Sequence, residues 1–199
     1  MIGVAFISDR ADLYLPKCRE SFDDFVAPSL DDGVATTVID DRDHRLGMAG
    51  AVRAAWDWAI ERDVDYLLHV EEDFRFLELP LDGMLDVFRQ DETLAQVVLK
   101  RQPWSPEEVQ AGGIIECHPD EYTDHRADQL SWVSHQRIFS LNPCLIPRRI
   151  LEIGWPDGNE AEMTSTLVGK GYRFGFYGHR ADPPRVQHIG AVRGAGWRL

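Results

Sequence analysis

The chain has 199 residues and a mass of 22.7 kDa, which suffices for one domain with a sizeable hydrophobic core. Acidic side chains number 34 and basic ones 21, giving a formal net charge of −13 and a pI near 4.9. So negative a balance argues against a broad binding surface for nucleic acid or for an anionic membrane.

Patterns typical of strands and helices alternate through the first part of the chain. Apolar runs predict strands at residues 2–7, 34–39 and 65–70, and apolar residues at helical spacing predict helices at 13–25 and 47–60. Strands that alternate with helices usually form a parallel sheet covered on both faces. We therefore predict a single α/β domain over the whole chain, 1–199, built on a mostly parallel sheet with helices on both faces.

The remainder of the chain is less regular. We predict a short helix at residues 80–88, a strand at 95–100, a loop at 102–121, strands at 132–139 and 142–147, a helix at 161–170 and a strand at 172–177. The last twenty residues contain two adjacent prolines and three glycines, which predicts an irregular tail.

Cysteine usage and the length of the apolar runs bear on the cellular compartment. Cys18, Cys117 and Cys144 are far apart and form no Cys-x-x-Cys pair, so a disulfide framework or a structural zinc site is not expected. The chain opens on a strand pattern without a basic leader, and no apolar run approaches membrane-spanning length. These features predict a cytoplasmic protein.

Polar and acidic residues follow each of the first three predicted strands. They occupy positions 8–10 (Ser-Asp-Arg), 40–41 (Asp-Asp) and 71–73 (Glu-Glu-Asp). The carboxyl ends of parallel strands meet at one edge of a sheet, where open α/β sheets bind their ligands. Three adjacent carboxylates repel one another, and Mg²⁺ or Mn²⁺ would offset that charge because both prefer oxygen ligands. A solvated acidic turn is the alternative interpretation.

A glycine and Arg53 lie on the second predicted helix, and residues 65–73 form a strand that ends in the three acids. This combination resembles the core of the GT-A fold glycosyltransferases, particularly the inverting family-2-like enzymes with their DxD-type motif. The resemblance implies that Asp73 binds the metal and that Glu72 approaches the donor ribose. It also places Glu71 and Arg53 in the nucleotide-sugar site. Glutamates stand where that family usually has two of its aspartates.

A second match to the same family lies further along the chain. Residues 159–163 are Asn-Glu-Ala-Glu-Met, and a Gly-Tyr-Arg sequence follows at 171–173. The resemblance implies that Glu160 is the catalytic base, which removes a proton from the acceptor hydroxyl. Glu162 is the alternative, although with Asn159 it also forms a capping-box pattern. The two glutamates are about 200° apart around a helix, so they cannot both face one site.

The third match is His188, because members of the family often carry a histidine after the final strand that completes the metal's coordination. Arg193, beyond it, is expected to steady the leaving diphosphate or to serve only solubility. The family contacts the nucleotide base through residues after the first two strands, here Ser8, Arg10 and Asp40. A carboxylate at Asp40 could accept the N3–H of uracil, which favours a UDP-sugar.

The resemblance as a whole implies a metal-dependent inverting glycosyltransferase of the hexosyltransferase type. It implies a UDP-sugar donor, an Mn²⁺ or Mg²⁺ cofactor and an unidentified acceptor hydroxyl. Residues 1–100 are expected to bind the nucleotide-sugar, and residues 101–199 to supply the acceptor and catalytic side. The chain is short for this family, so a homo-oligomer or another partner is one way to complete the acceptor site.

Two other functions stay open at the level of sequence. A sugar-phosphate nucleotidyltransferase shares the sheet and the acidic motif, but residues 8–12 lack the Gly-rich basic loop that such enzymes usually carry. A non-catalytic GT-A-like binding module would keep the fold without the chemistry. Neither a dinucleotide fingerprint nor a Walker A loop is present in the sequence.

Overall fold

The computed structural model describes residues 1–9, 12–26, 34–102, 115 and 118–190. Its strands are β1 (Ile2–Ser8), β2 (Ala35–Asp40), β3 (Tyr66–Glu71), β4 (Phe74–Phe76), β5 (Leu94–Val98), β6 (Arg101–Gln102), β7 (Thr123–Ala127), β8 (Leu130–His135), β9 (Cys144–Pro147), β10 (Arg173–Tyr177) and β11 (Val186–His188). Its helices are α1 (Leu15–Val26), α2 (Asp41–His44), α3 (Gly47–Glu61), α4 (Leu81–Gln90), α5 (Arg148–Leu151) and α6 (Glu160–Gly169), with one 3₁₀ turn at Pro119–Glu121.

Eight strands form the central sheet, in the order β2-β1-β3-β9-β5-β10-β8-β7. Six of them run in one direction, and β8 and β9 run in the opposite direction. The sheet is thus mostly parallel, as predicted. Strand β9, from the second half of the chain, lies between β3 and β5, so both halves contribute to one sheet.

A second, three-stranded sheet has the order β4-β11-β6. In it β11 runs antiparallel to β4, with His188 opposite Phe74, and parallel to β6. This small sheet was not predicted, because strands of two or three residues are too short to show a period-2 pattern. The predicted irregular tail is wrong at β11, which lies within the last twenty residues, and residues 191–199 lie outside the described residues.

Hydrophobic residues cover both faces of the central sheet. On one face, α3, α5 and α6 pack against Ala5, Leu67, Ile146 and Phe174. On the other face, α1, α4 and the inner side of the small sheet pack against the neighbouring positions of the same strands. The prediction of helices on both faces is confirmed. Within the described ranges, no helix combines the length and the apolar character needed to cross a bilayer.

His69 is a fully buried residue of β3, beside Ala5 of β1 and Cys144 of β9. Neither ring nitrogen has a hydrogen-bond partner among the residues that the structure describes. Burial lowers the pKa of His69 to about 4, because a charged imidazolium would lose its hydration. The side chain is therefore a neutral core residue at neutral pH.

We predict that acid destabilises the fold through His69. The unfolded imidazole takes up a proton below a pH of about 6.5, whereas the folded one resists protonation until about 4. The contribution of His69 to the free energy of unfolding is therefore level above pH 6.5. It falls between these two pKa values by up to about 1.4 kcal/mol per pH unit.

Urea unfolding at about pH 7.5 and about pH 5 measures this effect. The stability lost on acidification should be smaller in His69→Leu than in the wild type. It should be unchanged in His179→Gln, which alters an exposed histidine. An equal loss in all three proteins would contradict the assignment.

Candidate functional site

The three acids at the end of β3 have three different surroundings. Glu71 is the last residue of β3, and Glu72 and Asp73 form the turn into β4. Glu72 is buried at 4% exposure, whereas Glu71 and Asp73 are partly exposed. Adjacent carboxylates in one environment would repel one another, so this separation is what makes the triplet tolerable.

Glu72 joins the carboxyl ends of β3 and β1. Its Oε2 accepts a hydrogen bond from Ser8 Oγ at 2.5 Å, and its Oε1 accepts one from the Asp9 backbone N–H at 3.1 Å. Its own N–H donates to the carbonyl oxygen of Ile7 at 3.0 Å. The structure thus brings two residues predicted for the nucleotide-sugar site, Ser8 and Glu72, into direct contact.

Asp73 lies against His188, although 115 positions separate them in the chain. His188 Nε2 is 3.0 Å from Asp73 Oδ2, and the other carboxylate oxygen, Oδ1, is buried without a hydrogen-bond partner among the described residues. The antiparallel pairing of β4 with β11 produces this contact, because it sets His188 opposite Phe74. The two residues predicted to bind metal are therefore neighbours.

Residues 189 and 190 wrap around Asp73. The Ile189 N–H donates to the Asp73 carbonyl oxygen at 2.7 Å. A Cβ atom added to Gly190 would lie 2.4 Å from Asp73 Oδ2 and 2.8 Å from Asp73 Cβ. Only glycine fits at this position without displacing the carboxylate.

Glu160 begins α6 at the same edge of the central sheet. Its Oε1 accepts a hydrogen bond from the Leu141 N–H at 2.8 Å, just before β9 begins. The thiol of Cys144, the first residue of β9, has its pKa raised by burial and then by the negative charges of Glu71 and Glu160. Leu141 lies three residues before Cys144, which pairs with His69 of β3, so Glu160 lies at the edge of the sheet where β3 ends.

The first turn of α6 separates Glu160 from Glu162. The Asn159 side chain caps the helix, accepting hydrogen bonds from the backbone N–H groups of Ala161 at 3.0 Å and Glu162 at 3.4 Å. Glu160 is partly buried, whereas Glu162 is exposed beside Gly158. The structure therefore turns only Glu160 toward the strand ends.

The remaining predicted site residues lie further from the Asp73–His188 pair or outside the described residues. Asp40 caps α2, and its carboxylate binds the Arg42 guanidinium through Nε at 3.0 Å and Nη2 at 2.6 Å. Arg53 points from α3 to Asp157 Oδ1, at 2.8 Å, in the loop before α6. Arg10 and Arg193 lie outside the described residues.

Arg101 is a buried cation near the site that the sequence did not reveal. Its guanidinium lies 5.6 Å from the centre of the Phe74 ring, whose other neighbour is the His188 ring at 5.2 Å. It also donates from Nη1 to Asn142 Oδ1 at 3.3 Å. Arg101 belongs to the two-residue strand β6, and no sequence signal marks so short a strand as part of a site.

A polar groove of about 560 Å³ runs beside the pair, between α1 and the outer side of the small sheet. Arg75 and Gln187, which are opposite each other in the β4–β11 pairing, form one wall. Lys17 and Glu20 of α1 form the other wall, and Ile189 closes the end next to Asp73. The lining combines both charges with amide and hydroxyl groups, so it suits a polar ligand.

The Asp73–His188 pair fits a hard divalent cation that takes most of its ligands from a substrate and from water. No group of three or more His, Cys, Asp or Glu side chains suited to a metal occurs in the described part of the chain. Mg²⁺ sites commonly use only one or two carboxylates together with substrate phosphates. Two adjacent ligands about 2.1 Å from an octahedral ion are about 3 Å apart, which matches the observed contact.

The overall structure is similar to two solved structures. A structure of GalNAc-T7 with UDP, GalNAc and Mn²⁺ matches over 100% of this chain and 45% of its own, with a TM-score of 0.61 and 13% identity. The chain has a GT-A-like fold. A197 from STIV matches over 94% of this chain and 81% of its own, with a TM-score of 0.50 and 17% identity.

Sequence comparison does not assign the chain to a family. No protein-family model matches the chain, and no curated protein matches it. The chain corresponds to less than half of the GalNAc-T7 chain. At these identities the similarity establishes the fold, and the activity has to be argued from the site itself.

We predict that Gly190→Ala destabilises the protein by about 1–3 kcal/mol, the usual cost of overpacking a filled site. The added methyl group would press on Asp73 and force it away from His188. Gly169→Ala is the matched control, since a Cβ at Gly169 meets no atom within 4 Å. Urea unfolding of both variants measures the difference. Equal stabilities would contradict the prediction, because they would show that the site beside Asp73 has room for the added methyl group.

Proposed function

We propose that the protein is a metal-dependent, inverting glycosyltransferase that moves a hexosyl group from a nucleoside-diphosphate donor to an acceptor hydroxyl. The observation that carries this proposal is the contact between Asp73 and His188, with Glu160 at the same sheet edge. A GT-A-like fold supports it, because it supplies the edge at which such donors bind.

Asp73 and His188 would hold Mn²⁺ or Mg²⁺ through a carboxylate oxygen and a neutral imidazole nitrogen. The buried Oδ1 of Asp73, which lacks a hydrogen-bond partner among the described residues, supports this role. A cation bound there supplies Lewis-acid stabilisation to the departing nucleoside diphosphate. Gly190 packs against the carboxylate, and the Ile189 N–H holds the Asp73 backbone through its carbonyl oxygen.

Glu160 would act as the general base. As the acceptor oxygen bonds to the anomeric carbon and the bond from that carbon to the diphosphate breaks, Glu160 takes the acceptor's proton. Its Oε1 is held by the Leu141 N–H, so the carboxylate has a fixed position at the edge of the sheet. Attack from the face opposite the leaving group inverts the anomeric configuration.

The nucleotide would bind where β1 and β2 end. Ser8 and Asp40 are directly paired in the β1–β2 register, so they mark adjacent points of this edge. We assign Arg10, Arg53, Glu71 and Arg193 to the donor site on the strength of the sequence resemblance. UDP is the favoured nucleotide because GalNAc-T7 was crystallised with UDP. The Asp40 carboxylate would accept from uracil only after it releases the Arg42 guanidinium, which binds both of its oxygens.

Asp73→Ala should abolish metal-dependent nucleotide binding, because it removes the carboxylate ligand. A thermal-shift panel of UDP, GDP, CDP and dTDP, with and without Mn²⁺, measures this effect. The wild type should respond to UDP with Mn²⁺, His188→Ala should bind about tenfold or more weakly, and Asp120→Ala, an exposed control, should match the wild type. Unchanged Mn²⁺-dependent binding in Asp73→Ala would remove the metal assignment.

Glu160→Gln should keep nucleotide binding and lose transfer by about 10²–10⁴-fold, the usual contribution of a general base. Release of UDP from UDP-glucose, UDP-galactose and UDP-GlcNAc, with water or an added sugar as acceptor, measures the rate. Glu162→Gln is the matched control and should keep the wild-type rate. A loss in Glu162→Gln with none in Glu160→Gln would reverse the assignment, and NMR of the product anomer tests inversion.

Pyrophosphate release tests the alternative function, sugar-phosphate nucleotidyl transfer. The protein should release no pyrophosphate from a nucleoside triphosphate and a sugar phosphate. Release of pyrophosphate would replace the proposed function with nucleotidyl transfer.

A further inference from the structure

We propose that Glu72 is a positioning residue and does not contact the donor. Its hydrogen bonds to Ser8 and Asp9 fix the end of β1, where the nucleotide binds. The inference deepens the proposed function and rests on it, since it concerns the same donor site. It also changes the role that the sequence resemblance implies for Glu72, which is contact with the donor ribose.

Burial and hydrogen bonding carry this inference. Glu72 is 4% exposed and Ser8 is 1% exposed, so their contact is an interior one. Each carboxylate oxygen of Glu72 already accepts a hydrogen bond, from Ser8 Oγ at 2.5 Å and from the Asp9 N–H at 3.1 Å. Asp73, by contrast, keeps a buried oxygen without a partner among the described residues and has a side-chain exposure of 28%.

The contacts of Glu72 join the ends of two strands, and Ser8 extends this connection to a third. The Glu72 N–H binds the Ile7 carbonyl oxygen, so backbone and side chain together tie the β3 end to the β1 end. Ser8 in turn pairs with Asp40 in the β1–β2 register. Hydrogen bonds to a charged acceptor are stronger than neutral ones and shorter, so this connection is stiff. Loss of the carboxylate would release the end of β1 and leave the Ser8 hydroxyl and the Asp9 N–H without their acceptor.

A comparison of ribose analogues distinguishes positioning from direct contact. Titration calorimetry with UDP, 2′-deoxy-UDP and 3′-deoxy-UDP, each with Mn²⁺, should show Glu72→Ala weakening all three by the same factor, about tenfold. Glu72→Gln should stay within about threefold of the wild type, since its amide can accept from Asp9 and donate to Ser8. A loss in Glu72→Ala that spares 2′-deoxy-UDP or 3′-deoxy-UDP would indicate contact with the missing hydroxyl and would overturn the proposal.

Amide hydrogen exchange tests the connection without any nucleotide. The Asp9 amide should exchange faster in Glu72→Ala than in the wild type, and Glu72→Gln should restore its protection. Glu61→Ala, an exposed control, should leave it unchanged. Unaltered Asp9 exchange in Glu72→Ala would overturn the proposal even if nucleotide binding fell.

Ser8→Ala keeps the test decisive if Glu72→Ala does not fold. It removes the Ser8 hydrogen bond while leaving the carboxylate and the Asp9 bond in place, so it should show the same uniform loss across the three nucleotides. A wild type that binds none of the nucleotides, yet shows the expected Asp9 exchange, would refute the proposed function and leave the structural connection standing.

Discussion

The arrangement of this site depends on the repulsion among three carboxylates that are adjacent in sequence. Three like charges cannot share one partly buried environment, so the chain must give each a different set of neighbours. The end of β3 and the turn after it do so. Glu71 ends β3, the Glu72 carboxylate accepts hydrogen bonds from Ser8 and Asp9 at the end of β1, and Asp73 contacts His188. One short segment thus supplies both the connection between two strand ends and the carboxylate that we propose as a cation ligand.

The site also depends on the small sheet, which positions His188 and Gly190 against Asp73. Without the pairing of β4 with β11, His188 would have no fixed relation to Asp73, and Gly190 would not close against the carboxylate. The same sheet carries Arg101, whose guanidinium packs on the Phe74 ring behind His188. The most irregular part of the fold therefore positions the residues on which the proposed chemistry depends.

The sequence predicted the larger elements and the fold class, because apolar runs such as residues 2–7 and 65–70 are long enough to show their period. It did not predict β4, β6 or β11, which are too short for that signal. Arg101 was missed for the same reason. The family resemblance implied that Glu72 approaches the donor ribose, but only tertiary contacts could reveal that its oxygens accept from Ser8 and Asp9.

The most direct test of the account is anomalous diffraction from crystals grown with UDP and soaked in MnCl₂. The account predicts a manganese peak within bonding distance of an Asp73 carboxylate oxygen and of His188 Nε2, with the diphosphate of UDP completing the coordination. Manganese bound at another site, or UDP bound at the sheet edge with no metal beside Asp73, would contradict it.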